Sequence, residues 1–261
     1  MQLKRAAAVV AAILAGACLP GLGSLPAQSG PSTVAREATA DTAKEYFERG
    51  RKLGFPAFGS NAPYILTAKF TTRASSGAVE TGTYTDTWLS DSKWRREAVL
   101  GQSRFVRSRN GKRRYRLDDG PDAAVLQFVL TAMEPIPGTD SPFRNSDWKI
   151  RRDTVDGAAT VEVWRGRTNS DGMPDTKDFE GYWFDGEGRL VKTVLNSLQT
   201  RRTNFEDYNG VQVARQVEVL LGGKVGMRIE VTALGPAGHV DPHIFTIKRH
   251  EWMWQPGSEV R

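Results

Sequence analysis

Three groupings of side chains in this chain have types and spacing that invite chemistry. Ser90-Asp91-Ser92-Lys93 fits the S-x-x-K spacing of penicillin-binding enzymes, where the serine opens a helix and a K-T-G strand completes the site. Here the tetrad falls where a β-turn is expected, and Lys192-Thr193-Val194 lacks the glycine. His239 and His243 flank Val240-Asp241-Pro242, a set open to zinc. Pro242 favours an extended or turned backbone, so the two imidazoles need not converge. Asp171, Asp175, Asp178 and Glu180 offer oxygens to calcium without the order of an EF-hand loop, and solvated loop acids are the simpler account. There is no G-x-S-x-G elbow, no phosphate loop and no dinucleotide glycine motif. No catalytic set assembles from neighbouring residues. The chain therefore reads as non-enzymatic, with no metal and no cofactor.

Charge is the sharpest local signal. From Lys93 to Arg116 ten basic residues stand against one acid, Glu97, within a chain whose total is +6. One account is a solvated outer strand face. The other is a patch for anionic lipid headgroups or another polyanion, with Arg107, Arg109, Arg113 and Arg114 as its candidates. Trp94, Phe105 and Tyr115 interleave with these arginines as in a single-strand nucleic-acid binder, but the export signal described next argues against nucleic acid.

The elements that must position these residues begin with a segment outside the fold. Lys4 and Arg5 precede an unbroken small and apolar run, Ala6 to Ala17, shorter than the ~20 residues a membrane span needs. That is the layout of a signal peptide, with a cut after Ala27. The expected location is the periplasm or cell envelope. Cys18, the sole cysteine, follows Ala15-Gly16-Ala17, a loose lipobox, so an outer-membrane lipoprotein is the alternative to simple cleavage. A cut after Ala27 removes that cysteine, and thiol nucleophiles, thiolate zinc sites and disulfides with it. The rest, 39% apolar and 25% charged overall, has the composition of an ordinary globular domain.

Residues 28–40 read as a linker, and 41–256 as one domain. A helix follows the linker, with Thr42 and Glu45 at capping-box spacing and Gly54 and Pro56 as its stop. The period then changes to two. Tyr64 to Phe70 and Gly82 to Trp88 are rich in β-branched and aromatic residues and are separated by Ser75-Ser76-Gly77. Tyr182-Trp183-Phe184 and Leu190 to Val194 flank the turn Asp185-Gly186-Glu187-Gly188. Val211, Val213, Val217 and Val219 alternate with polar residues, Arg215 interrupting, before Gly222-Gly223 turns the chain into Val225, Met227, Ile229 and Val231. One apolar helix, 121–133, sits between the halves. The expected fold is mainly β (α+β): one highly curved antiparallel sheet of about ten strands, an unclosed half-barrel with two helices over its concave face.

This order of elements resembles the lipoprotein-carrier (LolA/LolB-like) superfamily. The resemblance rests on Gly82-Thr83-Tyr84-Thr85-Asp86-Thr87-Trp88 followed by Lys93-Trp94-Arg95-Arg96-Glu97. At the other end it rests on Asp207-Tyr208-Asn209-Gly210-Val211, the Gly222-Gly223 hairpin and Asp241-Pro242-His243-Ile244-Phe245. The tail is also similar to exported modules of some TonB-family proteins. The turn before the basic strand departs from the pattern, reading Ser90-Asp91-Ser92 where proline is common. The resemblance implies a hydrophobic cavity for acyl chains, and a lipid or acylated protein as partner.

The cavity candidates are Val125, Phe128, Val129, Met133, Met227 and Ile229. The leading function is a non-enzymatic envelope protein holding a lipid or acyl chain in the concavity, expected as a monomer. The alternative is a structural or interaction module with a filled core and a working basic patch over Lys93–Arg116.

Overall fold

The computed structural model describes residues 36–37, 40–60, 62–74, 76–134, 136, 148–167, 179–196 and 198–247. The segment expected to be a signal peptide, Cys18, Asp171, Asp175, Asp178 and His250 lie outside the described residues. Five strands, β2 (Tyr64–Arg73), β3 (Val79–Ser90), β4 (Lys93–Leu100), β5 (Ser103–Asn110) and β6 (Arg113–Asp119), form a first meander. Seven more, β7 (Lys149–Val155), β8 (Ala158–Arg165), β9 (Glu180–Asp185), β10 (Leu190–Leu195), β11 (Leu198–Tyr208), β12 (Val211–Leu221) and β13 (Lys224–Pro236), form a second. A two-residue β1 (Arg36–Glu37), inside the stretch read as linker, pairs with β7.

β13 runs antiparallel to β2 and fuses the meanders into a single sheet, ordered β1-β7-β8-β9-β10-β11-β12-β13-β2-β3-β4-β5-β6. The two ends of that order do not pair, so the barrel stays open. Period-two burial makes the sheet two-sided: along β2, Tyr64, Leu66, Ala68, Phe70 and Thr72 turn inward and their neighbours turn out. Gly222 and Gly223, at φ 56° and 78°, supply the left-handed pair that a tight hairpin turn requires.

Helices fill the concave side. α1 (Ala40–Gly54) lays Ala43 and Phe47 on Trp148, Val163, Tyr182, Phe184 and Leu190. A single turn, α2 (Pro56–Gly59), follows it. α3 (Ala123–Met133) packs Leu126, Val129 and Leu130 into the larger core formed by β2–β5 and β11–β13. On the convex side a 3-10 turn, Pro242–Phe245, crosses β4 and β5. There Phe245 is fully buried, and Ser108 and Arg95 donate to the carbonyls of Phe245 and Ile244.

The half-barrel and its two covering helices match the sequence reading, with thirteen strands among the described residues where about ten were expected. The extra strands include β5 to β8, whose arginines and acids occupy both faces and hide the alternation. Helix α1 starts at Ala40, so Thr42 lies inside its first turn rather than at the cap. Arg215 does not break the apolar face of β12. It sits where the ladder skips between Thr203↔Gln216 and Phe205↔Ala214, opposite Asn204 at φ 55°, and turns out to pair with Glu206.

Candidate functional site

The residues that could do work meet on the concave face, around α3. This helix is apolar on nearly every side, which a buried position requires. Its start is tied down by Ser103, which donates to Asp122 Oδ2 (3.3 Å) and accepts from Asp122 N (3.0 Å). Its end is held by Arg202 of β11, which donates to the Ala132 carbonyl at 2.6 Å. That contact satisfies an orphan carbonyl and places a cation at the negative end of the helix.

Two hollows flank the helix. The larger, about 420 Å³, lies at the end of the sheet that carries the Gly222-Gly223 turn. It is lined by Val125 and Phe128 of α3 and by Leu198, Val219, Val225 and Met227 of the sheet, with Thr72, Val79 and Arg228 around it. The smaller, about 60 Å³, lies between the α1–α2 junction and the end of α3. Phe55, Phe58, Met133, Phe205 and Val217 line it above a polar floor of Tyr64, Tyr84, Asp86, Arg96, Glu134 and Arg202. Among the described residues three large apolar side chains are exposed: Phe58 (41%), Val79 (69%) and Val225 (42%). All three stand on the walls of these two hollows.

The polar floor is a buried network. Tyr64 donates its hydroxyl to Asp86 Oδ2 at 2.9 Å, and Arg96 Nε donates to the same oxygen at 3.2 Å. Arg96 also pairs with Glu134, just past α3. Burial pushes the Asp86 carboxyl above its ordinary value, and Arg96 and the Tyr64 hydroxyl only partly counter it. Burial opposes the charge on Arg96 too, but Glu134 and Asp86 together hold it firmly protonated. Among the described residues the acceptors of Arg202 are both neutral, the Thr200 hydroxyl at 2.8 Å and the Ala132 carbonyl. Burial pulls its guanidinium down to about 9.

Strand register extends this floor to the open edge. One row across the sheet runs Leu66, Asp86, Arg96, Arg107, Arg116, and the next runs Tyr64, Trp88, Trp94, Arg109, Arg114. Residues directly paired across antiparallel strands share a face. Arg107, Arg109, Arg114 and Arg116 therefore form a two-by-two block on the concave side. Arg113 falls on the convex face with Tyr115, and Arg104 pairs there with Glu97.

The sequence candidates thus separate. Val125, Phe128 and Met227 line the larger hollow and Met133 the smaller, whereas Val129 and Ile229 are buried in the core and line neither. Three of the four arginine candidates come together and Arg113 does not. Sequence reading missed Asp86, Arg96, Glu134 and Arg202. A signal existed for the first two: Asp86 sits at an inward position between Tyr84 and Trp88, and Arg96 between Trp94 and Ala98.

The Ser90–Lys93 tetrad is the β3–β4 turn, with Ser90 Oγ 3.2 Å from Ser92 Oγ and Lys93 over the Phe245 ring. His243 is the second residue of the convex 3-10 turn, its N–H donating to Asp241 Oδ1 at 2.9 Å. Among the described residues no three His, Cys, Asp or Glu side chains gather as metal ligands, and no helix is long and apolar enough to cross a membrane.

No protein-family model matches the chain, and no curated protein matches it by sequence. Solved structures do resemble it. A domain assigned as an outer membrane lipoprotein-sorting protein, from Vibrio parahaemolyticus, is similar at 9% identity and TM-score 0.50, over 79% of this chain and 97% of that one. A DUF1329 family protein from Desulfovibrio piger is similar at 11% identity and TM-score 0.50, over the same shares. A LolA superfamily protein from Nitrosomonas europaea is similar at 12% identity and TM-score 0.46, over 78% and 97%.

Proposed function

We propose that this chain, a LolA-like half-barrel by fold, is an exported, non-enzymatic binding module of the cell envelope that holds an acyl chain on its concave side, in the hollow beside α3. The observation that carries this reading is the set of exposed apolar side chains. Phe58, Val79 and Val225 stand at the two hollows, where exposure costs free energy unless a ligand covers it. A hollow of about 420 Å³ also falls within the ~300–1,000 Å³ usual for small-molecule sites. The lipoprotein-sorting assignment of the Vibrio domain supports an acyl ligand, and the apolar run Ala6–Ala17 supports export.

The test uses protein recovered from the periplasmic fraction of a Gram-negative host. Solvent extraction followed by mass spectrometry should release lipid, and a fluorescent fatty acid should titrate the emptied protein to saturation. Phe128→Trp, which fills the larger hollow, should weaken that titration several-fold while costing ~1–3 kcal/mol of stability. If no lipid is extracted and no fatty acid binds, the hollows are packing defects and the protein is an interaction module. Absence from the periplasmic fraction would overturn export.

A further inference from the structure

Arg202 on β11 is a cation at the wall of a hollow with no anion beside it. The residue is 6% exposed and lines the smaller hollow, at the end of α3. Its Nη1 donates to the Thr200 hydroxyl at 2.8 Å and its Nη2 to the Ala132 carbonyl at 2.6 Å. Among the described residues the Nε–H and the second hydrogen on each Nη have no partner. Buried charges ordinarily come with a counter-charge, and here burial pulls the guanidinium down with only Tyr182 to counter it.

The acids on the same polar floor do not supply the missing charge. Asp86 and Glu134 both pair with Arg96, and neither acts on Arg202. The partial negative charge at the end of α3 answers Arg202 in part. One N–H suffices for the Ala132 carbonyl, however, and a guanidinium brings five. Above the cation the walls are apolar: Phe55, Phe58, Met133, Phe205 and Val217.

We infer that the smaller hollow is a site for an unesterified aliphatic carboxylic acid, with its carboxylate on Arg202 and its chain between these walls. The site stands apart from the larger hollow and does not depend on the acyl-chain reading given to that one. A guanidinium presents paired N–H bonds that match the two oxygens of a carboxylate. One guanidinium balances one negative charge, and the acids of the floor disfavour a dianionic phosphate. An ester-linked chain brings no charge to answer Arg202. The hollow of about 60 Å³ exceeds the ~10–15 Å³ that one water needs, so it admits a carboxylate and the first carbons of a chain.

The test compares hexanoate, hexanol and N-acetylleucine, the last a mimic of a peptide C-terminus, by titration calorimetry on the full chain freed of lipid. Wild type should bind hexanoate at least about tenfold more tightly than hexanol, the worth of one charge-assisted hydrogen bond. Arg202→Gln should lose that preference, Arg202→Lys should keep part of it, and Arg104→Gln, on the convex face, should keep all of it. Arg202 also anchors α3, so Arg202→Gln is checked for a native melt. Should it unfold, Met133→Trp, which fills the hollow and leaves Arg202 in place, must abolish hexanoate binding in a folded protein.

Equal binding of hexanoate and hexanol, or no binding of hexanoate, would overturn the inference and leave Arg202 as a helix anchor alone. Tighter binding of N-acetylleucine than of hexanoate would overturn it in favour of a peptide C-terminus. If Phe128→Trp abolishes hexanoate binding while Met133→Trp spares it, the acid sits in the larger hollow and the assignment to Arg202 falls.

Discussion

Asp86 shows how one residue can be stable only by virtue of its neighbours. It is 7% exposed, accepts from Tyr64 and Arg96 through Oδ2, and its Oδ1 has no hydrogen-bond partner among the described residues. Removing Arg96 would leave a buried carboxylate uncompensated, so Arg96→Met is expected to cost about 3–5 kcal/mol. Asp86→Asn keeps an oxygen for both donors, and Arg96 retains Glu134, so about 1–2 kcal/mol is expected. The pH dependence has a definite sign. Because burial raises the Asp86 pKa in the folded state, the native protein binds that proton more tightly than the unfolded chain. The contribution is fully present below the ordinary carboxylate range of about 4 and is lost as pH rises through the raised value. Urea unfolding across pH should show wild type losing its advantage over Asp86→Asn as pH climbs from the acid side. A difference between the two that stays constant with pH would show that Asp86 does not titrate as its burial dictates.

Among the elements, α1 depends on close approach. A Cβ on Gly50 would lie 2.5 Å from Phe184 Cε1 and 3.3 Å from Ile136 Cδ1, and the Phe184 ring is fully buried. Gly50→Ala gains about 1 kcal/mol of helix propensity, but overpacking costs about 1–3 kcal/mol, so the variant should be less stable than wild type. At Gly54, at the end of the same helix, a Cβ would meet no described atom within 4 Å, so Gly54→Ala should be neutral or mildly stabilising. Thermal melts of the two variants decide the matter: equal stability would mean that α1 does not rest on β9 as closely as its glycine allows. Helix α3 differs in kind. It is fastened at both ends by side chains from the sheet, Ser103 and Arg202, which makes it the lining of two hollows rather than a loose cover.

Across the molecule, the fold closes on one seam. β2 opens the first meander and β13 ends the second, and their nine Cα pairings from Met227↔Thr72 to Pro236↔Tyr64 join the two. Amides at this seam have strands on both sides and core on one face, so they should exchange only in global unfolding. Among the described strands β6 is an edge with one neighbour, and it should exchange first. Hydrogen exchange read by mass spectrometry should rank β13 and β2 slowest and β6 fastest. Protection of β6 equal to that of β2 would mean that the edge is covered.

Much of this architecture was legible in the sequence, because period-two patterning acts locally. An inward Tyr, Phe or Val at every second position, with Gly at the turns, suffices to write an antiparallel meander with one dry face. The long apolar helix at 121–133 was legible for the same reason, since an α-helix with no polar side must be buried. Strands β5 to β8 were harder, because charged residues on both faces erase the alternation that marks a strand. The sequence also held the basic run Lys93–Arg116, but not its sorting. Which arginines share a face follows from strand boundaries and register, and a shift of one residue would exchange Arg109 and Arg114 for Ser108 and Arg113. The buried floor depends on the same long-range facts. Asp86, Arg96 and Glu134 are separated along the chain and meet only because β3 pairs with β4 and α3 ends above them. Local pattern determined the elements and their faces, and tertiary pairing alone decided which charges were brought together.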